Sequence, residues 1–280
     1  MELKIGAIDS HVHIWTDDFA HYPLDVEFAP ADLAIPRFMP DDVFSHALAN
    51  GVDRVVLVQM SYYGSDNSLM LDAIRLSPER FRGIAVIDEN RADLLATMGR
   101  LRKCGIRAFR VMAIDPALRL LDRPGLRNML DQAARHEMAI DFLTAPEILP
   151  ELDRLCEQFP DTSIVVDHMA RIGMNGPIVD KDVKALCSLA HHRNTAVKIS
   201  AFYALGEKRP PHDDLAPMIR QLYGAFGPSR LMWGSDAPFQ TMYGSYGDSI
   251  DFIRKRLPFL TEQDQDWILR GTAERLFFQD

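Results

Sequence analysis

Eight stretches of this chain are apolar and rich in β-branched residues, and they recur through its whole length. They are IGAID (5–9), RVVLVQ (54–59), FRGIAVI (81–87), GIRAFRV (105–111), MAIDFLT (138–144), SIVVDHM (163–169), TAVKIS (195–200) and RLMWGSD (230–236). Several are almost continuously apolar, as strands covered on both faces are. Between them the apolar positions change to helical spacing. In DDVFSHALANG, Val43, Ala47 and Leu48 share a stripe that stops at Gly51, and in RADLLATMGRLRKCG, Leu94, Met98 and Leu101 do the same before Gly105. A glycine just past such a stripe stops a helix because it adopts the left-handed conformation that caps the chain. TAPEILPELDRLCEQF offers Thr144 as a cap with Pro146 early in the helix. DDLAPMIRQLYGAFG places Pro217 near its start, where proline is tolerated or bends the helix.

A strand followed by a helix or a long loop, eight times over, predicts a (β/α)8 barrel forming one domain over residues 1–280. The competing doubly wound open sheet ordinarily has fewer units. Two regions depart from the rhythm. Residues 15–40 are rich in proline, aspartate and aromatics, which predicts a long loop over the barrel mouth after the first strand. The final LTEQDQDWILRGTAERLFFQD predicts two extra helices, with Thr261 and Thr272 as caps and Gly271 as the break.

Composition narrows the partners. The 280 residues are 47% hydrophobic and 25% charged, ordinary for a globular domain of this size. A net charge of −9 lacks the basic footprint that nucleic-acid binding requires. Cys104, Cys156 and Cys187 make no CxxC pair, so they are expected as reduced thiols in a reducing cytosol. No basic segment followed by an apolar one opens the chain, and no apolar run approaches the roughly 20 residues of a membrane span. The expectation is a cytoplasmic protein with a small-molecule substrate, no membrane or nucleic-acid partner, and room for homo-oligomerisation. GxSxG, GxxxxGK and GxGxxG motifs are absent, which removes support for serine-elbow, P-loop and dinucleotide chemistry.

The chemistry that remains lies at strand ends, where barrels of this kind carry their sites. Asp9, His11 and His13 occupy alternate positions at the end of the first apolar run, and a regular strand sends such positions to one face. Arg110 lies near the end of the fourth strand, Asp167 and His168 end the sixth, Lys198 and Ser200 lie on the seventh, and Asp236 ends the eighth. Two imidazoles beside a carboxylate suit a metal ion or a reacting carbonyl. The plainer alternatives are that Asp236 caps a turn, that Lys198 pairs with a carboxylate, and that His191 and His192 face solvent at a helix end.

In this order, DSHVHIW, VVDHMAR, VKIS and RLMWGSDAPF resemble the amidohydrolase superfamily. Within it they resemble the amidohydrolase-2 group of TIM-barrel hydrolases, which includes lactonases of sugar acids and of dicarboxylic acids. The resemblance implies that Asp236 activates water, with His168 beside it, and that His11, His13 and Asp236 hold one divalent ion, zinc first, if a metal is bound at all. It implies substrate contacts from Ser61 and from Arg107, Arg110 or Arg171, with Lys198 and Trp15 at the pocket. Two departures matter. SDAPF has Ala237 and Phe239 where many lactonases of the group have SDWPH. The fourth strand also lacks a lysine for a carbamate bridge and the fifth lacks a histidine, so one metal or none is expected rather than two. The implied activity is hydrolysis of a cyclic ester. The alternatives are a metal-dependent nonoxidative decarboxylase and a non-catalytic ligand-binding barrel.

Overall fold

The computed structural model describes residues 6–115, 117 and 119–279. Eight parallel strands pair in chain order: β1 (Ala7–Val12), β2 (Val52–Val58), β3 (Phe81–Ala85), β4 (Ile106–Ala113), β5 (Ala139–Thr144), β6 (Ser163–Val166), β7 (Thr195–Ile199) and β8 (Leu231–Trp233). All eight coincide with apolar runs of the sequence; Ile5 of the first run lies outside the described residues. Closure between the first and last strands is made at their carboxyl ends. There the Asp236 N–H donates to the His11 carbonyl and the His13 N–H to the Ala237 carbonyl, both at 2.8 Å. This is the predicted (β/α)8 barrel.

Helices α1 (Pro40–Ala47), α2 (Ser68–Leu76), α3 (Leu94–Lys103), α4 (Pro124–Arg135), α5 (Leu149–Gln158), α6 (Asp180–Ser188) and α7 (Ala216–Phe226) return the chain between strands. Pro217 falls in the first turn of α7 and the helix ends at Gly227, whose φ of 70° supplies the left-handed cap. Thr144 does not cap a helix. It is the last residue of β5, and its hydroxyl donates to the Ala113 carbonyl of β4 at 3.0 Å. After β8 come α8 (Phe239–Tyr243) and α9 (Tyr246–Lys255).

The carboxyl-terminal segment is one helical run rather than two helices. It starts at α10 (Glu262–Asp266), capped by the Thr261 hydroxyl as predicted, and continues through wider turns at Trp267–Gly271 and Glu274–Phe278. Gly271 and Thr272 lie inside that run, and Thr272 has helical backbone angles. Glycine is required at 271 for packing, since a Cβ there would sit 2.6 Å from the Trp267 ring.

Residues alternate in and out along each strand. Ile8, Val56, Ile84, Ala108, Ala139, Val165, Ala196 and Met232 point inward and pack with Ala273 and Phe277 of the terminal helix, which closes the barrel floor. One step higher, the inward positions become Arg110, Asp141, Asp167 and Lys198. The loop of residues 15–40 is tied down over the mouth. Trp15 bridges to Phe38 in antiparallel fashion, its indole N–H donates to the Ile35 carbonyl at 2.7 Å, and its ring packs on Tyr62 and Phe239.

Candidate active site

β1 does not run regularly. Its pairing with β2 shifts register between Asp9 and Val12, so the side-chain alternation breaks there. His11 and His13 still project together into the mouth, with their Nε2 atoms 3.2 Å apart. Asp9 does not join them, which corrects the expectation from simple alternation. Its Oδ1 accepts from the Ser235 and His11 N–H groups at 2.8 and 3.1 Å, and its Oδ2 accepts from the Tyr246 hydroxyl at 2.7 Å. Asp9 thus pins β1 to the segment after β8. Gly234 makes room for His11 from the same side, because a Cβ at 234 would lie 2.8 Å from the His11 Cβ.

Asp236 meets the two histidines from β8. Its Oδ1 lies 3.3 Å from His13 Nε2 and 3.6 Å from His11 Nε2, and it has no hydrogen-bond partner. Its Oδ2 accepts from the Tyr203 hydroxyl at 2.7 Å. His168 completes the group: its ring centroid is 4.4 Å from that of His11, and its Nδ1 is 2.8 Å from the Ser200 hydroxyl. All four side chains are buried. His168 and Asp236 have φ of 51° and 63°, and the left-handed turn continues through Met169, Ala170 and Arg171. Left-handed residues other than glycine cost about 1–2 kcal/mol each, and such strain is held where the surroundings fix it.

A hydrogen bond fixes the free nitrogen of His13. His13 Nδ1 lies 2.8 Å from the Val58 carbonyl, which can only accept, so Nδ1 carries the proton and Nε2 keeps its lone pair. His11 Nδ1 lies 3.3 Å from both the Asp167 carboxylate and the Lys198 ammonium, an acceptor and a donor at one nitrogen. Burial lowers the pKa of His11 and of His168, favouring neutral imidazoles. For Asp236 burial works against the charge, but His168 and His13 outweigh it and the carboxyl titrates below its ordinary range. The His13 lone pair and the Asp236 carboxylate therefore point at one another, with His11 Nε2 beside them, which calls for a shared proton or a cation.

The spacing fits a cation. The three separations among His11 Nε2, His13 Nε2 and Asp236 Oδ1 are 3.2, 3.3 and 3.6 Å. The edge of a tetrahedron around zinc with bonds of 2.0–2.1 Å is about 3.3 Å. His11, His168 and Asp236 also form a group with ligand atoms close enough for one ion. A second such group, His11, Asp141 and Asp167, already contains a cation of the protein's own. Lys198 Nζ lies 2.8 Å from Asp141, 2.9 Å from Asp167 and 3.3 Å from His11 Nδ1.

The other expected residues divide. Arg110 lies beside this layer and donates to Asp167 Oδ2 at 3.2 Å. Lys198 is fully buried beneath His11 and is paired with carboxylates. Arg107 lies at the opposite end of β4, bonded to the Arg102 and Ile106 carbonyls and remote from the mouth. The alternation that turns Arg110 inward turns Arg107 outward. Trp15 is fully buried and packs the loop rather than lining an open pocket. Ser61 lies in the turn after β2, and Arg171 ends the left-handed turn after His168, its Nε 3.0 Å from the Met174 sulfur; both are half-buried. Asp141 and Tyr203 carry weight that sequence reasoning did not assign. Asp141 had a signal, as the one acid within the apolar run MAIDFLT; Tyr203 was legible only as one of several aromatics able to wall the pocket, not as the group that holds Asp236. His191 and His192 lie on the far side of the molecule beside Asp153, away from the mouth.

A model of the amidohydrolase family matches residues 8–279. The chain belongs to the amidohydrolase family. It is 31% identical over 248 residues to an L-fucono-1,5-lactonase of Burkholderia ambifaria, covering 86% of this chain and 83% of that one. It is 26% identical to a 2-pyrone-4,6-dicarboxylate hydrolase of Comamonas testosteroni, covering 100% of this chain and 92% of that one. The fold is similar to a Pseudomonas putida structure provisionally assigned as a 2-pyrone-4,6-dicarboxylic acid hydrolase. The TM-score is 0.84 at 24% identity, over 99% of this chain and 98% of that one. An amidohydrolase structure from Burkholderia multivorans with bound zinc gives a TM-score of 0.76 at 21% identity, over 98% and 99% of the two chains. The family and these relatives make the chain a hydrolase. Among the described residues no helix is long and apolar enough to cross a membrane.

Proposed function

We propose that the protein is a lactonase that adds water to the carbonyl of a cyclic ester, with Asp236 as the general base. The observation that carries this reading is the setting of Asp236. Tyr203 fixes one carboxylate oxygen and leaves the other, buried, facing the Nε2 atoms of His11 and His13. Asp236 takes a proton from water as the oxygen attacks the carbonyl carbon. His168 accepts at Nδ1 from Ser200 and offers an Nε2 proton to the developing oxyanion. The ring C–O bond then breaks, and the proton held on Asp236 passes to the departing alkoxide, giving a hydroxy acid.

One divalent ion, zinc first, fits His11, His13 and Asp236, and when bound it supplies Lewis-acid polarisation of the carbonyl. Lys198, Asp141 and Asp167 hold His11 from beneath. Arg110, inward on β4, and Arg171, in the turn after His168, would receive a substrate carboxylate, a task suited to a planar guanidinium. The reading is tested by acid release from a panel of sugar and dicarboxylic lactones, with metal content measured on the same preparation. Ring-opened acid is expected; carbon dioxide release would identify a decarboxylase instead, and tight lactone binding without turnover a binding protein.

A further inference from the structure

We infer that the lactone taken by this site carries an apolar or unsaturated ring face rather than a ring of hydroxyl groups. The inference rests on the lactonase reading and specifies its substrate class.

The strands are ordered one to eight around a closed barrel, so β4 and β5 stand opposite β8 and β1. The reactive side chains come from the β8–β1 side and from β6 and β7. On the opposite side, alternation fixes what the mouth presents. Ala108 and Ala139 are inward in the floor, and Arg110 and Asp141 are inward register partners in the charged layer. The next inward pair, again register partners, is Met112 and Leu143. Neither is packed away: Met112 is 50% exposed and Leu143 is half-buried. Ile114, just past the end of β4, is 38% exposed. Val86, in the inward register after β3, is half-buried.

The facing rim is apolar too. Tyr203, which holds Asp236, is stacked on Tyr243 of α8 with rings 5.2 Å apart and 1° from parallel. Tyr243 is 63% exposed and its neighbour Met242 is 40% exposed. Large exposed apolar side chains gathered at the barrel mouth above a buried polar cluster mark a surface that a ligand would cover. Thioether and aliphatic groups have no donor or acceptor to return to a ring hydroxyl, so a polyhydroxylated ring seated here loses hydrogen bonds to water without replacement. A planar or alkyl-bearing ring loses none and gains contact with Met112, whose polarisable sulfur adapts to flat faces.

The experiment compares kcat/KM on two sets of six-membered lactones, one bearing alkyl groups or ring double bonds, the other 1,5-aldonolactones with free ring hydroxyls. The first set should be preferred by about 30-fold or more, within the range that apolar pocket contacts deliver. Met112→Gln and Leu143→Asn should each shrink that preference about tenfold, and because Met112 is exposed its variant tests the idea without depending on the core. Preference for aldonolactones, or a preference unmoved by both variants, overturns the inference while leaving the lactonase reading standing. Hydrolysis of neither set, in protein with its full metal content, overturns both.

Discussion

The floor of the barrel and the layer directly above it are built by the same strands, one inward step apart, and share almost nothing else. Ala139 gives way to Asp141, Val165 to Asp167, Ala196 to Lys198, and Ala108 to Arg110. The floor is aliphatic, closed by Phe277, and any set of side chains of suitable volume would fill it. The upper layer buries two carboxylates, an ammonium and a guanidinium in a space where each is costly unless paired. That layer aligns His11, and the strained residues His168 and Asp236 stand at its rim. The floor serves stability and the rim serves chemistry, so each of these can be broken without the other, while the charged layer between them serves both.

The largest effect should come from the rim. Asp236→Asn removes the base while preserving shape, and kcat should fall about 10³-fold, in the range seen for lost general-base catalysis. The thermal midpoint should hold, because Tyr203 can still donate to the amide oxygen. A variant that kept most of its activity would remove Asp236 from the chemistry.

The charged layer comes next, and it should couple both properties. Lys198→Met leaves Asp141 without its cation and Asp167 with Arg110 alone, which should cost about 4 kcal/mol in urea unfolding. Adding Asp141→Asn removes one stranded charge and should recover part of that loss. Recovery of none would mean that Lys198 acts through its volume rather than its charge. Lys198→Met should also bind zinc more weakly in titrations of metal-free protein, since His11 loses the Lys198 contact that helps fix its ring.

Phe277→Ala probes the floor. It should cost about 3–4 kcal/mol through the cavity it opens, with kcat/KM unchanged at temperatures where the protein stays folded. A fall in kcat/KM matching that of the charged-layer variant would show that the two layers are not independent.

These layers were unequally legible in the sequence. All eight strands are visible because a strand buried on both faces must be apolar nearly throughout, and that requirement leaves a mark no helix mimics at such short length. His11, His13, His168 and Asp236 stand out because polar groups at strand ends have few structural excuses. What stayed hidden depends on geometry that pattern does not carry. The irregular register of β1 turned Asp9 away from its neighbours, and nothing in DSHVH announces it. Arg107 and Arg110 look alike in GIRAFR, yet only the inward parity of Arg110 brings it to the layer. Gly271 resembles a helix stop, but its role is to pass the Trp267 ring, a contact the sequence cannot display. The closing of the floor by Phe277 is a tertiary fact of the same kind.

The smallest of these effects belongs to Asp9, the acid left out of the cluster. It lies between the two regions, fully buried, holding β1 to the start of the last loop through Ser235 and Tyr246. Burial raises its pKa to about 6 in spite of those donors. An acid whose folded pKa exceeds its unfolded value of about 3.9 favours folding while protonated, and that contribution is lost as pH rises from about 4 through 6. The loss from this group is up to about 3 kcal/mol. Asp9→Asn keeps an oxygen for the two N–H donors and cannot ionise, so it escapes this part of the pH dependence. In metal-free samples the stability of the Asn variant relative to the wild type should therefore climb between pH 4 and 7, while the other titrating groups cancel in the difference. A flat difference would mean that Asp9 is ionised throughout that range, held by Tyr246 and Ser235 strongly enough to overcome its burial, and the seam between β1 and β8 would then belong energetically with the charged layer rather than between the two.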